Sequence, residues 1–270
     1  MMNVEVIRNN HLINTPLRNQ MKLLPKPACN DHSSDDGPVY PDTDHEQTVR
    51  QDTKITRKSH GMVFVQGSFA NGATKRIFLD HGYSIVNNIY AADIVVWTGG
   101  EDINPKLYGE KPIPGTYFDE ERDKDDVSAL MKIKNTGKFL VGICRGAQLL
   151  NVIPNNGKLW QDVDNHGSCL HSIKDCITGQ DILVNSVHHQ MMKLGPKAEL
   201  VAFTARSTVK EAYQDRWHCD DAWDSDLAKD PEVIYYPDTK SLLVQFHPEF
   251  GHKPTTDYFM SLMTRYWLAS

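Results

Sequence analysis

A chain of 270 residues with 40 % hydrophobic and 9 % aromatic content can build one large or two small domains around a real core. Its formal net charge of −6, with no lysine- or arginine-rich run, argues against a nucleic-acid surface, and no apolar run is long enough to span a bilayer. The start MMNVEVIRNN lacks a signal-peptide core. Five cysteines (Cys29, Cys144, Cys169, Cys176 and Cys219) without paired spacing fit neither a disulfide framework nor a zinc site, which together predict a cytoplasmic protein.

Residues 1–58 hold five prolines and the polar stretch Asn30–Gly37, with little periodicity, and are expected to form a polar, flexible arm. The folded domain is expected over 59–270. From Gly61 the signals alternate. MVFVQ reads as a strand, ATKRIFLDHG as a helix closed by Gly82, YSIVNN as a brief strand and DIVVWTGG as a strand ending in Gly99-Gly100. A helix follows over 119–135, with acidic residues in its first turn and Val127, Leu130, Met131 and Lys134 along one stripe; Arg122-Asp123 reads as its solvated start. KFLVGI and AQLLNVI make a strand and helix joined at Cys144. The second half is richer in strands (DILVNS, ELVAFTAR, EVIYYP and SLLVQF), and TTDYFMSLMTRYWL closes the chain as an amphipathic helix. The acidic segment Asp215–Asp230, which includes His218-Cys219-Asp220, reads as a surface hairpin or lid. Strand–helix alternation predicts an α/β fold whose central sheet is mostly parallel, covered by helices, with active residues at strand carboxyl ends.

Gly142-Ile143-Cys144-Arg145-Gly146 is the thiol form of a nucleophile elbow. Glycines allow a tight strand-to-helix turn, the sulfur stands at its apex, and the N–H of Arg145 with the helix start favours thiolate and a neighbouring oxyanion. A buried core cysteine is the alternative. A nucleophilic cysteine needs a base, and the base needs an acceptor. His247-Pro248-Glu249, ending the apolar run SLLVQF, offers both, and in a continued extended strand the two side chains would share a side. Gln148, one helical turn after Cys144, is either a substrate contact or a solvated helix residue. Ser186 and His188 alternate to one face of a strand end. No carboxylate or cysteine stands at ligand spacing from His188 and His189, so no metal is expected, nor any other cofactor.

GICRGAQLLNV together with QFHPEF resembles the class I glutamine amidotransferase-like superfamily, in which Cys, His and Glu form the catalytic triad in that chain order. GGEDINP with Tyr108-Gly109-Glu110, and NSVHHQ, resemble its γ-glutamyl hydrolase branch, within which the sequence is similar to γ-glutamyl-γ-aminobutyrate hydrolases. The resemblance spans roughly residues 61–268. It implies a flavodoxin-like amidotransferase fold and a catalytic triad of Cys144, His247 and Glu249. It also implies an oxyanion hole from the N–H groups of Gly100 and Arg145, and substrate contacts from Gln148, Ser186 and His188. The expected reaction is hydrolysis of a small γ-glutamyl amide through a thioester. The alternative is a glutaminase serving a separate synthetase partner; neither nucleic acid nor membrane is an expected partner, and a homodimer is compatible with the sequence. Two departures from the pattern stand out. VIPNNGKLWQDV replaces the usual Gly-Gly turn, and the chain between MVFVQ and DIVVWTGG is shorter than the branch usually has.

Overall fold

Apolar runs that alternate between two covering layers of helix give this chain its central sheet. A computed structural model describes residues 59–163, 166–204 and 229–268. The arm over 1–58 and residues 215–228 of the acidic segment lie outside them. Eleven strands are present among the described residues: β1 (Met62–Gln66), β2 (Ser84–Ile85), β3 (Ile94–Trp97), β4 (Phe139–Ile143), β5 (Lys158–Trp160), β6 (Cys169–Asp175), β7 (Asp181–Ser186), β8 (Met191–Lys193), β9 (Glu199–Thr204), β10 (Asp230–Tyr236) and β11 (Ser241–Val244). The helices are α1 (Asn71–Asp80), α2 (Glu120–Ile133), α3 (Arg145–Val152) and α4 (Lys253–Met263).

Nine strands form one sheet in the order β2-β1-β3-β4-β11-β10-β9-β6-β7, and β5 pairs with β8 in a small second sheet. From β2 to β11 the neighbours run parallel, and from β11 to β7 they run antiparallel. The expected parallel, helix-covered sheet is therefore the half that carries Cys144, and the strand-rich second half extends it as an antiparallel wing. Two apolar layers flank the sheet. Val63, Val65, Ile94, Val96, Phe139, Val141 and Ile143 face one with Phe78 of α1 and Phe259 of α4. Val95, Trp97, Leu140 and Leu243 face the other with Leu130 of α2 and Leu149 of α3. Odd and even positions of one strand thus enter opposite layers, which is why these strands read as unbroken apolar runs.

Three elements differ from expectation. Of YSIVNN only Ser84–Ile85 pairs as strand, before a single 3₁₀ turn at Ile89–Ala91. β5, β6 and β8 carry no clear strand signal: β6 buries only Ile173 and Asp175 of its seven residues, and β5 and β8 are three residues long. In α2 the buried stripe is Asp123, Asp126, Ala129, Leu130 and Ile133, while Met131 is 48 % exposed. The helix is rotated from the purely apolar stripe because its inward face carries two carboxylates, whose partners appear below.

The antiparallel wing is fastened to α4 by one buried carboxylate. Asp175 accepts from Tyr258 Oη at 2.8 Å, Arg265 Nη1 at 2.9 Å and the backbone N–H groups of Ile177 and Thr178 at 2.9 and 2.8 Å. Burial pushes its pKa up, but the Thr178 N–H, the Tyr258 hydroxyl and the Arg265 guanidinium outweigh that and hold it below the ordinary aspartate range. Asp175→Asn is expected to cost about 1.5–3 kcal/mol at neutral pH. A carboxyl with a depressed folded pKa stabilises fully above its unfolded pKa of about 4, and loses that contribution as pH falls toward the folded value. The stability gap between wild type and variant, measured by urea denaturation, should therefore narrow from pH 6 to about pH 3.

Candidate active site

The elbow is a real backbone feature. Cys144 caps α3 with φ 50° and ψ −109°, a left-handed conformation that costs a non-glycine residue on the order of 1–3 kcal/mol. It is held by its N–H on the Val244 carbonyl at 2.7 Å and by its own carbonyl receiving the Gln148 N–H at 3.0 Å. Close approach dictates the flanking glycine: a Cβ on Gly146 would lie 2.2 Å from the Trp97 carbonyl oxygen. Cys144 is 4 % exposed, at the carboxyl end of β4.

His247 and Glu249 do meet, but not along a strand. β11 ends at Val244, and Pro248–Phe250 is a single 3₁₀ turn that brings the carboxylate round to the ring. His247 Nδ1 and Glu249 Oε1 are 2.8 Å apart and both residues are buried. The ring stacks on Phe250, with centroids 4.3 Å apart, and its backbone is clamped by Asn185, which accepts from the His247 N–H at 2.9 Å and donates to its carbonyl at 2.7 Å. Nε2 has no aligned hydrogen-bond partner among the described residues. Burial draws the imidazole's pKa down, yet the neighbouring Cys144 and Glu249 outweigh burial and hold it well above its ordinary value. The elbow and the His-Glu turn are thus electrostatic neighbours.

Below the elbow lies an ion cluster that hydrophobic periodicity does not reveal. Arg145 is 1 % exposed and donates to Asp126 at 2.5 Å and Asp123 at 2.6 Å. Asp123 also accepts the Asn104 N–H at 2.9 Å, and Asp126 accepts from Gln66 Nε2 at 3.0 Å. Arg122 is no solvated helix start: it donates to the Gly99 carbonyl at 2.6 Å and to Glu101 at 2.8 Å. Gly100 has φ 142°, and a Cβ there would fall 1.9 Å from Arg122 Nη1, so only glycine lets the loop lie on this guanidinium. The loop is held on its other side by Asp102, which approaches His189 Nε2 at 3.0 Å.

Gln148 is buried rather than solvated, and donates to the Gln190 carbonyl at 3.2 Å. The Ser186 hydroxyl donates to the His166 carbonyl at 2.6 Å, and His188 Nδ1 lies 2.9 Å from the Gln190 carbonyl. These two side chains share a face, as expected, with polar atoms turned toward His166 and Gln190. The Gln190 side chain went unremarked in the sequence. It is fully buried, and neither amide atom has a hydrogen-bond partner among the described residues; its place in NSVHHQ was the available signal. Burial lowers the pKa of His188 to about 3.

Comparison with known proteins gives a consistent picture. The Peptidase C26 family model matches residues 45–180, which include Cys144 and the Gly99–Pro105 loop. The glutamine amidotransferase-like protein YvdE of Lactococcus lactis is 30 % identical over 178 residues, covering 55 % of this chain and 74 % of the relative. The protein NtpR of Enterococcus hirae is 28 % identical over 183 residues, covering 59 % and 68 %. Among solved structures, PurLQS from Thermotoga maritima matches with TM-score 0.52 at 14 % identity, covering 76 % of this chain and 97 % of that chain. A GMP synthase subunit from Thermoplasma acidophilum matches with TM-score 0.50 at 16 % identity, covering 76 % and 94 %. At these identities the structural likeness establishes the flavodoxin-like fold.

Removing Arg145 leaves two buried carboxylates with only Arg122 Nε, 3.6 Å from Asp126, as a neighbouring cation. Arg145→Met should destabilise by about 3–5 kcal/mol, and adding Asp123→Leu and Asp126→Leu should restore part of that loss. Chemical denaturation of the single and triple variants checks both expectations.

Proposed function

Because this chain belongs to the Peptidase C26 family of class I glutamine amidotransferase-like proteins, whose members are cysteine-dependent amidotransferases and hydrolases, we propose that its domain over 59–270 hydrolyses a γ-glutamyl amide of a small molecule. Cys144 Sγ attacks the γ-carbonyl carbon. A C–S bond forms, the C–N bond breaks, and His247 delivers the thiol's proton to the departing amine. Water then attacks the γ-glutamyl thioester with His247 as base, releasing glutamate and freeing the thiol. Glu249 fixes the tautomer and orientation of His247 through Nδ1. The N–H groups of Arg145 and Gly100 are assigned to the oxyanion, where each such donor is worth about 10²–10³ in rate. Arg145 opens α3, so its N–H belongs to a first turn that lacks intrahelical acceptors.

The observation that carries this reading is the orientation of His247. Its Nδ1 is tied to Glu249 at 2.8 Å, which leaves buried Nε2 as the ring nitrogen turned away from that carboxylate, and the imidazole lies against Gly99 at the start of the glycine loop. We assign Gln148, Ser186 and His188 to the border of the glutamyl half. Gln190 adds the free amide that can read a carboxylate or ammonium group.

A second reading, a glutaminase that passes ammonia to a separate synthetase, draws support from the likeness in fold to the GMP synthase subunit of Thermoplasma acidophilum. The hydrolase is favoured by GGEDINP and NSVHHQ, which are joined in the fold by the Asp102–His189 contact.

The purified chain alone should cleave a γ-glutamyl amide and prefer a substituted amide to glutamine in kcat/KM. Silence on a panel of γ-glutamyl amines, followed by strong glutaminase activity once a synthetase is added, would replace the hydrolase with the second reading. Cys144→Ala and His247→Ala should each lower turnover on the order of 10⁴-fold or more, with the double variant little worse, because triad members act as a unit. Glu249→Gln should do less damage. A glutamine-mimicking electrophile should label Cys144 and spare the other cysteines by peptide mapping; label on another cysteine would overturn the assignment of the nucleophile.

A further inference from the structure

Beside the β7–β8 link, three side chains from separate elements bring nitrogen and oxygen atoms together, with His188 stacked alongside. His166 Nδ1 lies 3.2 Å from Glu232 Oε1, His171 Nε2 lies 3.0 Å from it and His188 Nε2 lies 4.0 Å from it. One ligand atom each from His166, His171 and Glu232 fall within 4.8 Å of one another. Glu232 is fully buried, His166 is 1 % exposed and His188 is 6 % exposed.

These contacts are close but poorly aligned as hydrogen bonds. Neither carboxylate oxygen of Glu232, nor the inward nitrogen of any of the three histidines, has an aligned hydrogen-bond partner among the described residues. The outward nitrogens explain why. His166 Nε2 faces the Asp230 carboxylate at 3.2 Å, and His188 Nδ1 faces the Gln190 carbonyl at 2.9 Å. Both partners only accept, so each outward nitrogen carries the hydrogen, and in a neutral ring the inward nitrogen presents a lone pair. His171 Nδ1 contacts Cys169 Sγ at 3.9 Å. Lone pairs facing a buried carboxylate repel unless a cation sits between them or a ring takes up a proton. An imidazole whose far N–H is held by a carboxylate or carbonyl is also the arrangement that orients metal-bound histidines.

We propose that His166 Nδ1, His171 Nε2 and the Glu232 carboxylate bind a divalent transition-metal ion of the zinc class, with water completing its coordination. Imidazole and carboxylate suit such an ion, and bonds of about 2.0–2.2 Å in tetrahedral geometry separate ligand atoms by about 3.3 Å. The two histidine–glutamate separations of 3.0 and 3.2 Å lie close to that value. The spacing argument against metal looked for ligands close together in the chain. Here β6, β10 and the segment before β6 each supply one. The ion would brace the antiparallel wing: the His188 N–H and the Ser186 hydroxyl both donate to the His166 carbonyl, and Asn185, which clamps His247, is the next residue.

The test uses the untagged full chain, stripped with a chelator and titrated with Co²⁺, with d–d absorption reporting tetrahedral coordination. One equivalent should bind to wild type, and zinc should raise its melting temperature. His171→Gln and Glu232→Gln should each weaken Co²⁺ binding at least tenfold and abolish the zinc-dependent shift. Asp230→Asn should weaken binding by about 10–100-fold through the outer partner of His166. Glu232 is fully buried, so the half-buried His171 decides if Glu232→Gln fails to fold. Absence of d–d bands in wild type, or binding unchanged in His171→Gln, would overturn the site and leave a charged His–Glu network.

Discussion

One buried guanidinium holds the elements of the candidate active site in register. Arg145 follows Cys144 directly, so wherever its side chain is pinned the elbow is pinned too. Its two carboxylate partners lie on α2, and each reaches further: Asp123 to the Asn104 backbone in the Gly99–Pro105 loop, Asp126 to Gln66 at the end of β1. β1, α2, the glycine loop and the elbow are thereby fixed relative to one another through three side chains. Burying three charges yields little net stability compared with apolar packing. What it gives here is directional: oxygens and N–H groups meet in one register, whereas an apolar contact tolerates sliding. A site whose proposed donors are backbone N–H groups, one on the glycine loop and one at the start of α3, depends on that register.

Much of this was legible in the sequence, for reasons specific to each segment. β3, β4 and β11 bury both faces, so they appear as unbroken apolar runs, and the bend between β4 and α3 is marked by glycines that close contacts require. His247 and Glu249 were expected to meet along an extended strand, whereas a 3₁₀ turn joins them. β6 was illegible because an edge-ward strand that buries two residues has no apolar period to detect. The inward face of α2 misled for a related reason. Hydrophobic periodicity assumes that buried means apolar, and Asp123 and Asp126 are buried because Arg145 awaits them. The His166–His171–Glu232 cluster could not be seen at all, since its members come together only once β6 and β10 are placed in the sheet.

The same economy of shared groups recurs at the Gln190 carbonyl. It faces Gln148 Nε2 at 3.2 Å, Gln245 Nε2 at 3.3 Å and His188 Nδ1 at 2.9 Å. A carbonyl has two lone pairs, so three donors on it are each imperfectly served, and the longer two contacts are correspondingly weak. These side chains belong to α3, to the segment after β11 and to the β7–β8 link, which are also the elements that carry Cys144, His247 and the proposed glutamyl border. A ligand that offered the Gln148 or Gln245 amide a better acceptor would relieve that competition rather than break a full hydrogen bond. The Gln190 side-chain amide, buried without a partner among the described residues, would gain one at the same moment. The crowded carbonyl and the free amide are polar groups incompletely satisfied by the protein itself, which is the condition under which the proposed γ-glutamyl substrate would bind in preference to water.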